Sequence, residues 1–248
     1  MIEIVVLGTG NVASHFIKAF SQCSQAKVIQ IYNHSPESLK VFSDYDTTTY
    51  LDQLKTADLY LICVKDDHIK DLALKIPSVD AIVAHTSGSL PLLNTWSRDA
   101  VFYPLQTFSK DKKISFQDLP ICIETKVETD FKILEQLAEN LGAKAFNVNT
   151  QQRQDLHLAA VFVCNFVNHL YHIGHEICAQ KDLPFEILRP LIKETADKIN
   201  FKNPREAQTG PAKRQDQTTI NRHIHQLENP NYQEIYRYLT TSIQKSYE

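Results

Sequence analysis

Three groups of residues in this chain of 248 residues have the types and spacing that chemistry requires. The first is Gly8-Thr9-Gly10-Asn11-Val12-Ala13, which follows the apolar run Ile4-Val5-Val6-Leu7. A short β-branched run suits a strand buried on both faces of a parallel sheet. A glycine turn that then opens a helix is the setting in which G-x-G-x-x-A binds a dinucleotide. Gly8 permits the tight turn, Gly10 admits a pyrophosphate close to the backbone, and Ala13 is small enough for helix–strand packing. The free N–H groups of the helix start face the phosphates. The same fold places ligands outside the carboxyl ends of its strands. The expected cofactor contacts are therefore Gly8 to Val12, Val64-Lys65-Asp66 after the run ADLYLICV, and His85-Thr86-Ser87-Gly88 after AIVA. Gln106, beyond a further strand, is expected near the substrate.

Cofactor choice is read after the second strand, KVIQIY, which ends in Asn33-His34-Ser35. An NAD enzyme usually carries Asp or Glu here for the ribose hydroxyls. Asn33, His34 and Ser35 offer neutral or partly cationic groups suited to a 2′-phosphate, so NADP is expected, with NAD as the alternative.

The second group lies on one helical pattern, where His157, Val161 and Asn165 are four residues apart and share a face. His169, His172 and His175 follow at intervals of three. No second set of cysteines or carboxylates supports that stripe as a metal site, and no metal is expected. The third group is Thr209-Gly210-Pro211-Ala212-Lys213-Arg214-Gln215-Asp216. A turn at Gly-Pro followed by a helix from Ala212 or Lys213 would gather backbone N–H groups, Lys213 and Arg214 into an anion-binding corner, with Asp216 in the first helical turn. Cys63 and Cys164 sit in apolar runs, where a thiol is normally inert.

The elements that must hold these groups follow from pattern. Strands are expected near 2–7, 27–32, 47–50, 57–64, 81–84, 100–103, 119–124 and 143–148, separated by helices or loops. That alternation specifies a doubly wound, mostly parallel α/β sheet. After Asn149 the apolar runs become helical in length. A helix is expected from Thr150 to Lys181, with Leu156–Val167 apolar nearly all round and hence buried in a helical core or against a partner subunit. Two further helices are expected over about 213–227 and 232–247. The expected organisation is a Rossmann-type dinucleotide domain, 1–149, and an all-helical domain, 150–248.

Composition limits the classes of function. A net charge of −3 argues against bulk binding of nucleic acid or an anionic membrane. Five cysteines without a C-x-x-C pair read as free thiols of a reducing compartment. No export signal or membrane span is apparent, so a cytoplasmic protein is expected.

Taken in order, GTGNVA, HTSGS (85–89), YPLQTF (103–108), HLAAVFVCNFVNHLY (157–171) and TGPAKRQD (209–216) resemble one family over nearly the whole chain. It comprises Rossmann-like NADP oxidoreductases with a C-terminal helical domain of unknown function, distantly related to pyrroline-5-carboxylate reductase and 6-phosphogluconate dehydrogenase. The resemblance implies an NADP-binding domain, a helical domain that forms a homodimer, and a cleft for a small-molecule substrate. The implied reaction is hydride transfer to or from a small carbonyl, imine or hydroxy acid. In the related β-hydroxyacid dehydrogenases a lysine stands four residues before an asparagine on this helix. Asn165 matches the asparagine, but the lysine position is Val161. His157, one turn away, is the expected substitute proton donor, with Asn165 and Lys213 as its catalytic partners and Arg214 and Asp216 binding substrate. The vacant lysine position also leaves open a non-catalytic dinucleotide sensor or scaffold. A prephenate- or arogenate-type dehydrogenase is a weaker third reading.

Overall fold

The computed structural model describes residues 1–77, 80–110 and 112–247. Two compact units result, Met1–Cys164 and Asn165–Glu248. In the first, eight strands form one sheet: β1 (Ile2–Leu7), β2 (Ala26–Tyr32), β3 (Thr47–Thr48), β4 (Leu59–Ile62), β5 (Ile82–His85), β6 (Asp99–Pro104), β7 (Pro120–Thr125) and β8 (Lys144–Asn147). Their order is β3-β2-β1-β4-β5-β6-β7-β8. Neighbours run parallel except β6 and β7. Every expected strand is present, and β3 and β4 are shorter than their apolar runs.

Successive β1 side chains alternate between two cores, as the two-residue period of a strand requires. Ile4 and Val6 pack with Phe16 and Phe20 of helix α1 (Asn11–Ser21) and with Leu134 and Leu137 of a later helix. Val5 and Leu7 pack on the opposite face with Tyr60, Ile62, Ile69 and Leu72. Both faces are therefore covered, which explains why β1 and β4 read as continuous apolar runs. The remaining helices of this unit are the short α2 (Pro36–Leu39), α3 (Asp66–Ala73), α4 (Glu128–Asn140) and α5 (Thr150–Ala160). Connections on the two sides of β1 run in opposite directions along the sheet. The strand order thus reverses between β1 and β4, where a doubly wound sheet opens a crevice at its carboxyl edge.

The expected long helix begins at a capping box in which Asn149 and Gln152 satisfy each other's backbone N–H groups. It does not continue as a regular α-helix. Val161–Phe166 widens into a π-helical segment before α6 (Val167–Ala179). The wider winding changes the angle between His157 and Asn165, so the regular four-residue spacing does not describe their facing. The apolar middle is not enclosed by the rest of the chain: Leu158 is 58% exposed and Val163 68%. Of the two expected environments for this stretch, a core within its own chain is corrected.

The second unit is helical, with α6, α7 (Arg189–Lys198), α8 (Pro204–Ala207), α9 (Gln217–Gln226) and α10 (Pro230–Ser246). Ile173, Ile220 and Tyr232 are its buried contacts, and His223 Nδ1 meets Tyr236 Oη at 2.9 Å.

Candidate functional site

Gly8 turns the chain out of β1 with φ at +121°, and a Cβ there would overlap the Cys63 carbonyl on β4. Only glycine combines that left-handed backbone with so close a strand contact. The chain then enters α1 with Gly10 as its N-cap. Gly10 brings no side-chain cap, and the first turn of α1 carries no acid. The N–H groups of that turn are therefore left for an external anion. This fits a dinucleotide pyrophosphate: a side-chain acceptor at the cap, or an acid in the first turn, would compete for the same donors.

A cavity of about 930 Å³ opens at this point. Gly8, Thr9, Gly10, Asn11, Val12, Asn33, His34, Val64, Lys65, Asp66, Thr86 and Gln106 line it, all expected from the sequence. Tyr32, Leu51, His68, Leu72 and Phe108 also line it and were not singled out by the sequence reading. Their signal lay in position, since each closely follows a strand or belongs to the helix after one. Two bonds fix the rim. Asn11 Nδ2 donates to the Phe108 carbonyl at 3.0 Å, which holds the loop after β6 against α1. Asn33 Nδ2 donates to Thr9 Oγ1 at 2.7 Å, and Asn33 Oδ1 accepts the Ser35 N–H at 2.8 Å. Asn33 thus braces the glycine turn from the end of β2, next to exposed His34; His68, Asp71 and Lys75 add polar side chains to the same lining.

Four expected cofactor contacts lie outside this lining. Ser35 is the N-cap of α2. His85 is 1% exposed, with Nε2 at 3.2 Å from the Pro91 carbonyl and Nδ1 accepting the Ser87 N–H. Ser87 Oγ accepts the Ser89 and Leu90 N–H groups. The strand-end rule places His85 beside a ligand, but both ring nitrogens are committed to shaping the loop. Burial holds this imidazole neutral by pushing its pKa down to about 4. An unfolded histidine titrates near 6.5, so below that pH the unfolded chain takes the proton first. The contribution of His85 to stability is full above pH 6.5 and falls by about 3 kcal/mol as pH drops towards 4. Urea unfolding across this range should show that loss, and His85→Gln should remove it.

The fourth, buried Gly88, packs against two side chains from distant elements. Tyr103 Oη of β6 lies 3.0 Å from His157 Nδ1 of α5. The rings meet edge to face, with centroids 5.9 Å apart at 72°. A Cβ on Gly88 would stand 2.6 Å from Tyr103 Cζ and 2.8 Å from His157 Nδ1. Burial raises the Tyr103 phenol to about 12, so it remains protonated. One turn before His157, the fully buried Arg153 pairs with Glu124 of β7 and bonds the Leu90 carbonyl. Gln154 Nε2 donates to the Ser89 carbonyl at 2.6 Å. The start of α5 is thereby locked onto the β5 and β7 loops, and His157 is aimed at Tyr103. The sequence reading found His157 but neither Tyr103 nor Arg153.

Asn165, Lys213, Arg214 and Asp216 belong to the second unit. The anion-binding corner expected there does not form as drawn. Residues 211–215 make a turn, and the helix starts only at Gln217. Asp216 is the N-cap, accepting the Thr219 N–H at 3.0 Å, and that bond lowers its pKa. Lys213 Nζ donates to the Gln208 carbonyl at 2.9 Å and sits 4.8 Å from the Tyr247 ring centre. In the histidine stripe, His172 lies 3.3 Å from Glu176 and His175 meets Phe185 edge-on. Cys63 is buried and its thiol is pushed up to about 12, which suits an inert side chain.

Comparison with known proteins gives two family matches, the later of which along the chain begins within the sheet unit at β7. Residues 119–243 match the domain of unknown function DUF2520. Residues 3–85 match the family described as NADP oxidoreductase, coenzyme F420-dependent. Among solved structures, the chain is similar to a candidate NADP oxidoreductase, BF3122 from Bacteroides fragilis, with 35% identity, 98% of each chain covered and a TM-score of 0.91. It is also similar in fold to protein TM1727 from Thermotoga maritima, with 22% identity, 98% of each chain and a TM-score of 0.74. A third fold likeness is 1-pyrroline-5-carboxylate reductase from Streptococcus pyogenes, with 12% identity, 98% of each chain and a TM-score of 0.65. No curated protein matches the chain.

Proposed function

The chain belongs to the DUF2520 family, and on that premise we propose that it is an NADP-dependent oxidoreductase acting on a small carbonyl, imine or hydroxy acid. The observation that carries this reading is the crevice at the reversal of strand order. There an uncapped helix N-terminus without acids faces a cavity large enough for a dinucleotide. Thr9 to Val12 would hold the pyrophosphate. Exposed His34 would take the 2′-phosphate, and Thr86 and Gln106 would border the nicotinamide end. Bound NADPH supplies a hydride. The protein's part is to orient the cofactor and acceptor, keep water out and deliver a proton to the developing oxyanion or amide.

The protein is further proposed to act as a homodimer through the long helix. Its support is the exposed apolar stretch around Leu158 and Val163. The helix Thr150–Ala179 is also long and apolar enough to cross a membrane, with a mean hydropathy of 1.2 over its most apolar window. A protein partner is the better cover. Buried Arg153 ties the first turn to the sheet, and Asn165, Asn168, His169, His172 and His175 recur along the rest. Calorimetric titration should show NADPH binding more tightly than NADH, and light scattering on the same sample should return twice the chain mass. Absence of heat with either nucleotide would remove the cofactor reading. Nucleotide binding without reduction of any carbonyl or imine probe would leave a sensor or scaffold.

A further inference from the structure

We propose that Tyr103 is the proton donor of the reaction and that His157 is the positioning residue that recharges it, replacing the lysine absent at Val161. The inference rests on the oxidoreductase reading above. It is carried by the geometry of the couple. Tyr103 Oη and His157 Nδ1 lie 3.0 Å apart, and the pair is pressed against Gly88, a position that leaves no room for a side chain. The couple lies next in sequence to residues of the crevice. Gly88 is two residues beyond Thr86, and Tyr103 three residues before Gln106, both of which line it. Tyr103 lies on β6, whose carboxyl end shares the ligand-facing edge of the sheet with β5. Arg153 and Gln154 fix the turn of α5 that carries His157.

With His157 protonated, Nδ1–H donates to the Tyr103 oxygen and the phenolic hydrogen is turned outward. As the acceptor carbon gains a hydride, its double-bond pair moves onto oxygen or nitrogen. A new O–H or N–H bond forms there with the Tyr103 proton. The Tyr103 O–H bond breaks, and the Tyr103 oxygen takes the Nδ1 proton of His157, leaving a neutral imidazole. Solvent restores that proton once the product leaves. Burial keeps the phenol protonated far above neutral pH. The other titratable or charged groups facing Tyr103 are Asp66 at the start of α3, Cys122 on β7, Arg153 on α5 and Cys164 in the π segment.

The test uses the full chain with NADPH and three probes: glyoxylate, pyruvate and 1-pyrroline. Tyr103→Phe should keep its NADPH affinity and lose about 100-fold or more in kcat, the usual share of a positioned acid. His157→Gln should retain part of the rate, with the loss confined to kcat and the KM for the probe unchanged. Independently of turnover, nuclear magnetic resonance of the free protein should show the ring signals of His157 displaced in Tyr103→Phe, because the hydrogen bond and the edge-to-face ring contact change there. Full activity in Tyr103→Phe, or unmoved His157 ring signals, overturns the couple while leaving the oxidoreductase intact. NADPH binding without turnover of any probe by the wild type overturns the reading beneath it, and the couple with it.

Discussion

Gly10→Ala is expected to fold like the wild type and to lose the cofactor, whereas Gly8→Ala is expected to lose the fold itself. The two glycines are separated by one residue but meet different surroundings. At Gly8 a methyl group would enter the Cys63 carbonyl on the neighbouring strand, at a backbone φ of +121°. Left-handed strain and overpacking each cost about 1–3 kcal/mol, so their sum is about 2–6 kcal/mol, a large share of the stability of a domain. At Gly10 the backbone is extended, with φ −71° and ψ −173°, and an added Cβ meets nothing within 4 Å. Its effect on unfolding should stay within about 0.5 kcal/mol. The space the methyl would fill is where a pyrophosphate must approach the backbone, so NADPH affinity should fall by about tenfold or more, about 1.4 kcal/mol. Thermal unfolding with and without NADPH reads both effects, because a ligand that binds only the folded state raises the midpoint. A Gly10→Ala protein that NADPH stabilises as fully as the wild type would show that the pyrophosphate does not lie on this turn.

This contrast shows where a sequence carries structural information. Strands β1 and β4 were legible because burial on both faces leaves an unbroken apolar run. The glycine turn was legible because its geometry is local. The change at Asn149 was legible because strand and helix periods differ. What could not be read depends on partners far away in the chain. Tyr103 and His157 are 54 residues apart, and nothing in YPLQTF marks its tyrosine as a hydrogen-bond partner. His85 stands at a strand end, as a ligand contact would, and only the Pro91 carbonyl and the Ser87 N–H show that its nitrogens are committed. The helix expected at Lys213 fails for a more local reason. Asp216 is a better N-cap than Ala212, and the backbone bonds that would begin a helix four residues earlier give way to a turn with Gln215 at φ +55°. The apolar stretch 156–167 is expected from its pattern to be covered, and the pattern carries no information on whether that cover would come from the same chain, which leaves Leu158 and Val163 exposed.

Glu124→Gln is expected to destabilise the sheet unit by about 3–5 kcal/mol, more than Arg153→Met at the other end of the same ion pair. Arg153 has no solvent exposure, whereas the Glu124 side chain retains 15%. Removing the carboxylate charge leaves the guanidinium with neutral acceptors alone, the Leu90 carbonyl and the amide oxygen at position 124, and with Nε already lacking one. Water cannot reach it to compensate. Removing the arginine instead leaves a carboxylate that touches solvent and still accepts from Thr150 Oγ1, at 2.9 and 3.0 Å to its two oxygens. It also removes the unmet Nε donor. The asymmetry therefore follows from which ion is stranded, and the double variant should recover much of the loss of Glu124→Gln. Trp96, the single tryptophan, belongs to this unit and packs against the α3 face of the sheet, so urea unfolding followed by its fluorescence reports on the right element. The pair also positions the proposed chemistry, because Arg153 is one helical turn from His157. Glu124→Gln should therefore displace the His157 ring signals in nuclear magnetic resonance while leaving NADPH affinity unchanged, since Glu124 is not part of the crevice lining. A loss below about 1 kcal/mol, or equal losses from the two single variants, would mean that the guanidinium is hydrated and that the start of α5 is held by packing instead.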